Sequence, residues 1–396
     1  MNKRRRGSIR QSTSKSTNSW KITIELEKDE LTGKRKQKYY TYHGTRKEAE
    51  HFLTQKLNEL DKGILCTSKK IKFEIFLDYW LDTIKINKKE TTIEEYTHYI
   101  DKHIKPNLGK IYLQDLKKTQ IQAFYNNEFK NGRLDGKGGV SPKTLKNIHN
   151  IIHSVLDMAC NSDLISKNIS NGLQLPKVEK YNAKFLEKEQ LLELVKKAKN
   201  TDIYIPIALA IYTGMRRGEI LGLSWDNINL KEKTIYVKQQ LQEINGELKI
   251  TTPKTKTSIR TIYISQQLVS ILSIYKLEQQ NLKLTLQQNY ENNINAVCTY
   301  PSGKLFNPKR FSKKFKKFIN DYGFPDIRFH DLRHSHASLL FSANVQDKLI
   351  SERLGHSSTS TTKELYTHLY EKDKKNIGNI IENLFMDNFV ANSVAK

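Results

Sequence analysis

Between residues 71 and 176 apolar side chains recur at three- and four-residue spacing, and a stretch of that length with that period packs as a set of helices. Amphipathic helices are expected over 73–84, 92–104, 118–129 and 141–160. The breaks fall at Pro106 to Gly109 and in the glycine-rich NGRLDGKGGVSPKT, whose last residues offer Ser141 as a helix cap and Pro142 in the first turn. This reads as a compact four- or five-helix bundle. It uses only part of the 396 residues, so other domains must flank it.

On its N-terminal side two strand-like runs, 20–26 and 38–43, are separated by a turn around Thr32 and Gly33. After Gly44 a helix starts at the N-cap candidate Thr45, carries Ala49, Phe52, Leu53, Leu57 and Leu60 at helical spacing, and stops at Gly63. A helix packed on a small sheet is the natural unit, preceded by a basic tail read as flexible. On the C-terminal side PKVEKYNAKF has no period and reads as a linker. From Glu187 the pattern is mostly helical, with strand-like runs at 234–240, 247–252 and 260–265 that suggest a three-stranded sheet edge. The expected fold class is therefore multidomain and mainly α with small β-sheets. Its segments are 1–66 (basic tail, sheet plus helix), 67–175 (helical), 176–186 (linker), 187–385 (mixed α/β) and 386–396 (tail).

Charge narrows the partner. The formal net charge is +25, from 67 Lys and Arg against 42 Asp and Glu, far more than solubility needs and suited to a polyanion. Ribosomal and chromatin-packing proteins share such charge but often lack the 37% apolar content that several packed domains require. Within 1–38, twelve lysines and arginines face four acidic residues, and Arg4, Arg5, Arg6, Lys34, Arg35 and Lys36 are candidates for DNA contact. The competing reading is a solvated basic tail. Lys143 and Thr144, at a helix start, suit phosphate contacts. Cys66, Cys160 and Cys298 are widely separated, which indicates neither a disulfide framework nor a metal site. The basic start is followed by QSTSKSTNS in place of an apolar run, and no apolar stretch is long enough to span a bilayer. A soluble cytoplasmic protein is expected.

Four fragments carry chemistry. In TGMRRGEILGLSW, Gly214 permits a turn that releases Arg216 from the preceding apolar helix, with Glu219 placed to begin the next helix and pair locally. In TPKTKTSIR, Lys254 or Lys256 at a hairpin tip is a mobile proton donor, or equally an edge-protecting lysine. In HDLRHSHASLL, His330 and Arg333 stand three apart and share one helix face. In LGHSSTSTTKELYTHL, His356 follows a helix-ending glycine and Tyr366 lies on the next helix. Singly, each residue is more often packing or surface charge. Jointly they supply two arginines for non-bridging phosphate oxygens, two histidines, a lysine and a nucleophile, which is what metal-free phosphodiester cleavage requires.

In spacing and order these four fragments resemble the signature boxes of the tyrosine recombinase, or phage integrase, family, over roughly 187–384. The helical segment before them resembles the family's core-binding domain, and the N-terminal module the arm-type DNA-binding domain of integrases from conjugative transposons and temperate phages. The resemblance implies that Arg216 and Arg333 clamp the phosphate, Lys254 is the general acid, His330 and His356 support acid/base chemistry, and Tyr366 is the nucleophile, with Tyr370 as the control and Lys256 as the alternative lysine. It implies no cofactor and no metal, a 3′-phosphotyrosyl intermediate, double-stranded DNA with core-type and arm-type sites, a homotetramer on DNA, passage through a Holliday junction, and an accessory excision factor. Two rival readings are a resolving recombinase or type IB topoisomerase, against which the N-terminal module argues, and a non-enzymatic regulator that kept the fold. The Lys-, Asn- and Ile-rich composition fits an AT-rich bacterial genome. The apolar stripe of Ile377, Ile380, Ile381, Leu384 and Phe385 either docks on a neighbour or closes its own domain.

Overall fold

The computed structural model describes residues 7–11, 19–28, 35–61, 70–179, 184–253 and 256–355. The chain divides into two compact units, Met1–Glu179 and Lys180–Lys396.

The first unit opens with an antiparallel sheet in the order β1 (Gly7–Gln11), β2 (Ser19–Lys28), β3 (Arg35–His43). Strand β1 corrects the flexible-tail reading for residues 7–11: Ile9 pairs with Ile22, and its backbone completes the ladder edge of β2. Period-2 alternation sends Ile22, Ile24, Tyr40 and Tyr42 to one face, where Ala49, Phe52 and Leu53 of α1 (Arg46–Asp61) cover them. Thr45 caps that helix reciprocally, its N–H reaching Glu48 Oε2 at 2.8 Å while its hydroxyl accepts from Glu48 N–H.

The helical part comprises α2 (Phe73–Lys85), α3 (Glu90–Tyr99), a π-helical turn (Ile100–Ile104), α4 (Lys105–Leu108), α5 (Lys118–Asn131) and α6 (Pro142–Asn161). The helical run ends at Leu108, inside the break expected at Pro106 to Gly109, though Pro106 itself still lies within it; the π-helical turn just before Pro106 accommodates its missing N–H. Phe73, Leu77, Ile100, Ile121, Tyr125, Ile148 and Ile152 form the core. Ser141 caps α6 by accepting from Thr144 N–H at 3.1 Å.

The second unit runs α7 (Lys188–Ala198), α8 (Tyr204–Thr213), α9 (Arg217–Leu221), β4 (Ile228–Asn229), β5 (Thr234–Val237), β6 (Gln240–Ile244), β7 (Glu247–Thr251), β8 (Arg260–Tyr263), α10 (Gln266–Leu286), α11 (Pro308–Asp321), α12 (Asp331–Ser342) and α13 (Asp347–Leu354). Helix α8 is buried almost all round, which explains its lack of polar positions. The three-stranded edge takes a different form from that expected. Strand β8 pairs with β5 and β5 with β4, while β6 and β7 make a separate hairpin whose turn residues Asn245 and Gly246 both have positive φ. The segment bearing Lys254 and Lys256 therefore connects two sheets and is not a hairpin tip; residue 254 lies outside the described residues. No helix among the described residues is long and apolar enough to cross a membrane.

Candidate active site

Helix α8 ends at Gly214, whose φ of +67° and ψ of +17° reverse the chain. Met215 then anchors in the core and Arg216 takes an extended conformation at the N-cap of α9. This is the turn that the glycine implied, and it frees the Arg216 side chain, which remains about one-third exposed. Glu219, at the third position of α9, receives the Arg216 backbone N–H at 2.9 Å and its Nη1 at 2.8 Å. Burial pushes the Glu219 carboxyl up, but Arg260 and Arg216 outweigh it and hold the group below the usual range.

Arg333 approaches from α12. It is almost fully buried, donating from Nη1 to Gly214 O and from Nη2 to Leu354 O, both at 2.8 Å. Arg216 Nη2 donates to Gly355 O at 2.6 Å, and Arg260 Nε to Arg353 O at 2.6 Å. Three successive carbonyls at the C-terminal end of α13 are thus each held by a different arginine. Gly355, with φ +67° and ψ +48°, terminates that helix immediately before His356. The structure brings Arg216 and Arg333 together at one place; Lys254, His356 and Tyr366 lie outside the described residues.

His330 occupies the N-cap position of α12 and is exposed to solvent, and its ring meets that of His334 edge-on at 5.1 Å. Partial desolvation, aided by His334 and Arg333, holds its pKa below the ordinary histidine value, favouring the neutral ring. Arg217 turns away, to the hydroxyl of Ser312.

Three supporting residues escaped the sequence reading. Arg260 grips Glu219 with both terminal nitrogens, at 3.3 and 3.0 Å. Arg353 donates from Nε to His336 Nε2 at 3.1 Å and from its Nη atoms to the carbonyls of Tyr263 and Tyr212. His336 Nδ1 donates to Ile211 O at 2.7 Å, so its Nε2 is the acceptor, and burial pushes its pKa down to about 4. The available signal was alternation: in RTIYI, Arg260 falls on the same inward register as Ile262, and a charge at such a position marks a buried ion pair.

Of the DNA-contact candidates, Lys143 is exposed in the first turn of α6, and the Thr144 hydroxyl is engaged with that of Ser141 at 2.9 Å. Arg4, Arg5, Arg6 and Lys34 lie outside the described residues, and Arg35 and Lys36 begin β3. The outward face of the N-terminal sheet presents further groups, Ser8, Arg10, Lys21, Thr23, Tyr39 and Thr41, with Lys21 Nζ 5.2 Å from the Tyr39 ring centre.

Comparison with known proteins gives a consistent picture. The family model described as Phage integrase family matches residues 184–373, and that for the phage integrase N-terminal SAM-like domain matches 72–129. The chain is 29% identical over 387 residues to a tyrosine recombinase XerC-like protein of Caldanaerobacter subterraneus subsp. tengcongensis, covering 93% of this chain and 96% of that protein. It is 27% identical to the ICEBs1 integrase of Bacillus subtilis, covering 92% and 97%. A Tn1549 transposon integrase solved in complex with a circular intermediate DNA shares the fold, with a TM-score of 0.63 at 17% identity over 75% of this chain and 95% of that one. The chain belongs to the phage integrase family: it is a tyrosine recombinase, an enzyme that breaks and rejoins DNA at specific sites.

Proposed function

We propose that the protein integrates and excises a mobile genetic element, a conjugative transposon or prophage, with Tyr366 as the nucleophile. The observation that carries this reading is the convergence of Arg216 and Arg333 on the Gly214 turn and the end of α13, one residue before His356. A phosphate meeting both guanidinium edges has its non-bridging oxygens neutralised while the Tyr366 oxygen attacks phosphorus. His330, favoured neutral, accepts the tyrosine proton, with His356 hydrogen-bonding the phosphate. The bond from phosphorus to the 5′ oxygen breaks, and Lys254 protonates the leaving oxygen. The 3′-phosphotyrosyl ester conserves the bond, so a 5′ hydroxyl from a partner strand reverses the steps and rejoins DNA with no energy source.

In this reading the helical domain, through Lys143 and Thr144, holds core-type DNA, and the N-terminal module holds arm-type DNA. Its basic residues, Arg4, Arg5, Arg6, Lys34, Arg35 and Lys36, act with the outward sheet face, and two linked DNA-binding modules gain avidity. Four protomers act on two sites through a Holliday junction, with an accessory factor directing excision. The test is to incubate wild type, Tyr366→Phe and Tyr370→Phe with a nicked suicide DNA carrying an element end and look for a covalent band on a denaturing gel. Loss of the band with Tyr366→Phe alone supports the assignment. Absence of a band from wild type on DNA that it binds refutes it.

A further inference from the structure

We infer that Arg260 is a positioning residue for the phosphate clamp, an inference that rests on the function proposed above. Its side chain is only 7% exposed, and each of its three nitrogens donates within the protein. Nη1 and Nη2 reach the two oxygens of Glu219, Nη1 also meets Ser258 O at 2.9 Å, and Nε meets Arg353 O at 2.6 Å. One guanidinium therefore joins the strand that follows Lys254, the carboxylate that aims Arg216, and the helix end that precedes His356. Enclosed in this way, Arg260 touches no phosphate and acts only through its neighbours.

The physical need for it follows from Glu219. That carboxylate is 1% exposed and lies 2.8 Å from the Arg216 guanidinium. Alone, it would draw Arg216 inward and cancel most of the positive charge that Arg216 offers a phosphate. Arg260 on its far side shares the carboxylate, so the Arg216, Glu219 and Arg260 set keeps a net positive charge facing outward and a fixed orientation. Lysine at 260 retains the charge but cannot make the forked contact with Glu219 and the bond to Arg353 O together.

The experiment compares two suicide DNAs, one with a natural phosphodiester at the scissile position and one with a methylphosphonate, in which an uncharged methyl replaces a non-bridging oxygen and reduces the demand for positive charge. Wild type, Arg260→Met and Arg260→Lys are assayed for covalent adduct at saturating DNA, with DNA affinity and thermal midpoint measured in parallel. Arg260→Met is expected to slow adduct formation about a hundredfold on the phosphodiester, as for loss of one preorganised donor, and tenfold or less on the methylphosphonate, with DNA affinity within threefold of wild type. Arg260→Lys falls between, and carries the same comparison if the Met variant does not fold. Equal deficits on the two linkages, or no deficit, in a folded variant that binds DNA overturn the inference. Wild type lacking a Tyr366 adduct overturns the function itself, whereas a wild-type adduct beside an unimpaired Arg260→Met overturns only the role of Arg260.

Discussion

Replacing Gly214 by Ala tests whether the turn before Arg216 is set by backbone or by packing. A Cβ there stands 2.6 Å from His336 Cδ2 and 2.7 Å from Leu354 Cδ2, in a backbone with φ +67°. Gly323, in the same unit, has φ +69° and nothing within 4 Å of its Cβ position. The left-handed backbone costs an alanine about 1–2 kcal/mol at either site and cancels between them. Only Gly214→Ala adds overpacking, about 1–3 kcal/mol. For a unit of this size, about 2 kcal/mol corresponds to roughly 4–8 °C in Tm. Calorimetry of the two variants should therefore show the catalytic-unit transition lower by several degrees for Gly214→Ala than for Gly323→Ala. Cleavage should fall too, because His336 and Leu354 both hold the end of α13, through the Arg353 side chain and through the carbonyl bound by Arg333. Equal midpoints would refute the reasoning.

Further outcomes are expected. His336 has a folded pKa of about 4 against about 6.5 unfolded, so the unfolded chain takes up a proton that the folded chain refuses. Stability from this group is full above about pH 6.5, falls as pH drops toward 4 and then levels, with a total near 3 kcal/mol; wild type should lose Tm between pH 7 and 5 more steeply than His336→Asn, and parallel profiles would contradict this. Ser141→Ala removes the cap of α6 and should cost about 1 kcal/mol in chemical denaturation of the first unit. Lys21→Ala should weaken arm-type DNA binding, lower the salt slope by about 1 and leave core-site cleavage intact; unchanged arm binding would remove the sheet face from the interface.

Helices were legible in the sequence wherever burial is one-sided: α2, α5 and α6 begin and end within a few residues of the periodic runs, and Gly214 and Gly355 marked the two turns that frame the arginines. Pairing between strands was not legible. The choice of β5 over β7 as the partner of β8 depends on which inward faces meet the core, a long-range matter that local propensity does not contain. Residues 7–11 gave too short a run to distinguish strand from tail. Arg216 and Arg333 stood out through their neighbours in sequence, whereas Arg260 and Arg353 act through partners far along the chain, and a charged residue near a strand end reads first as edge protection.

The three bonds to the end of α13 also bear on how the site waits for DNA. A helix C-terminus carries about half a negative charge, so it serves Arg216, Arg260 and Arg333 as an internal counter-ion. Three like charges can remain side by side without a bound anion. With Glu219 included, about one and a half positive charges stay uncompensated, which suits a phosphodiester whose negative charge rises as a fifth oxygen approaches phosphorus. Little of the binding energy is then spent on assembling the arginines, because the protein's own carbonyls already hold them in place.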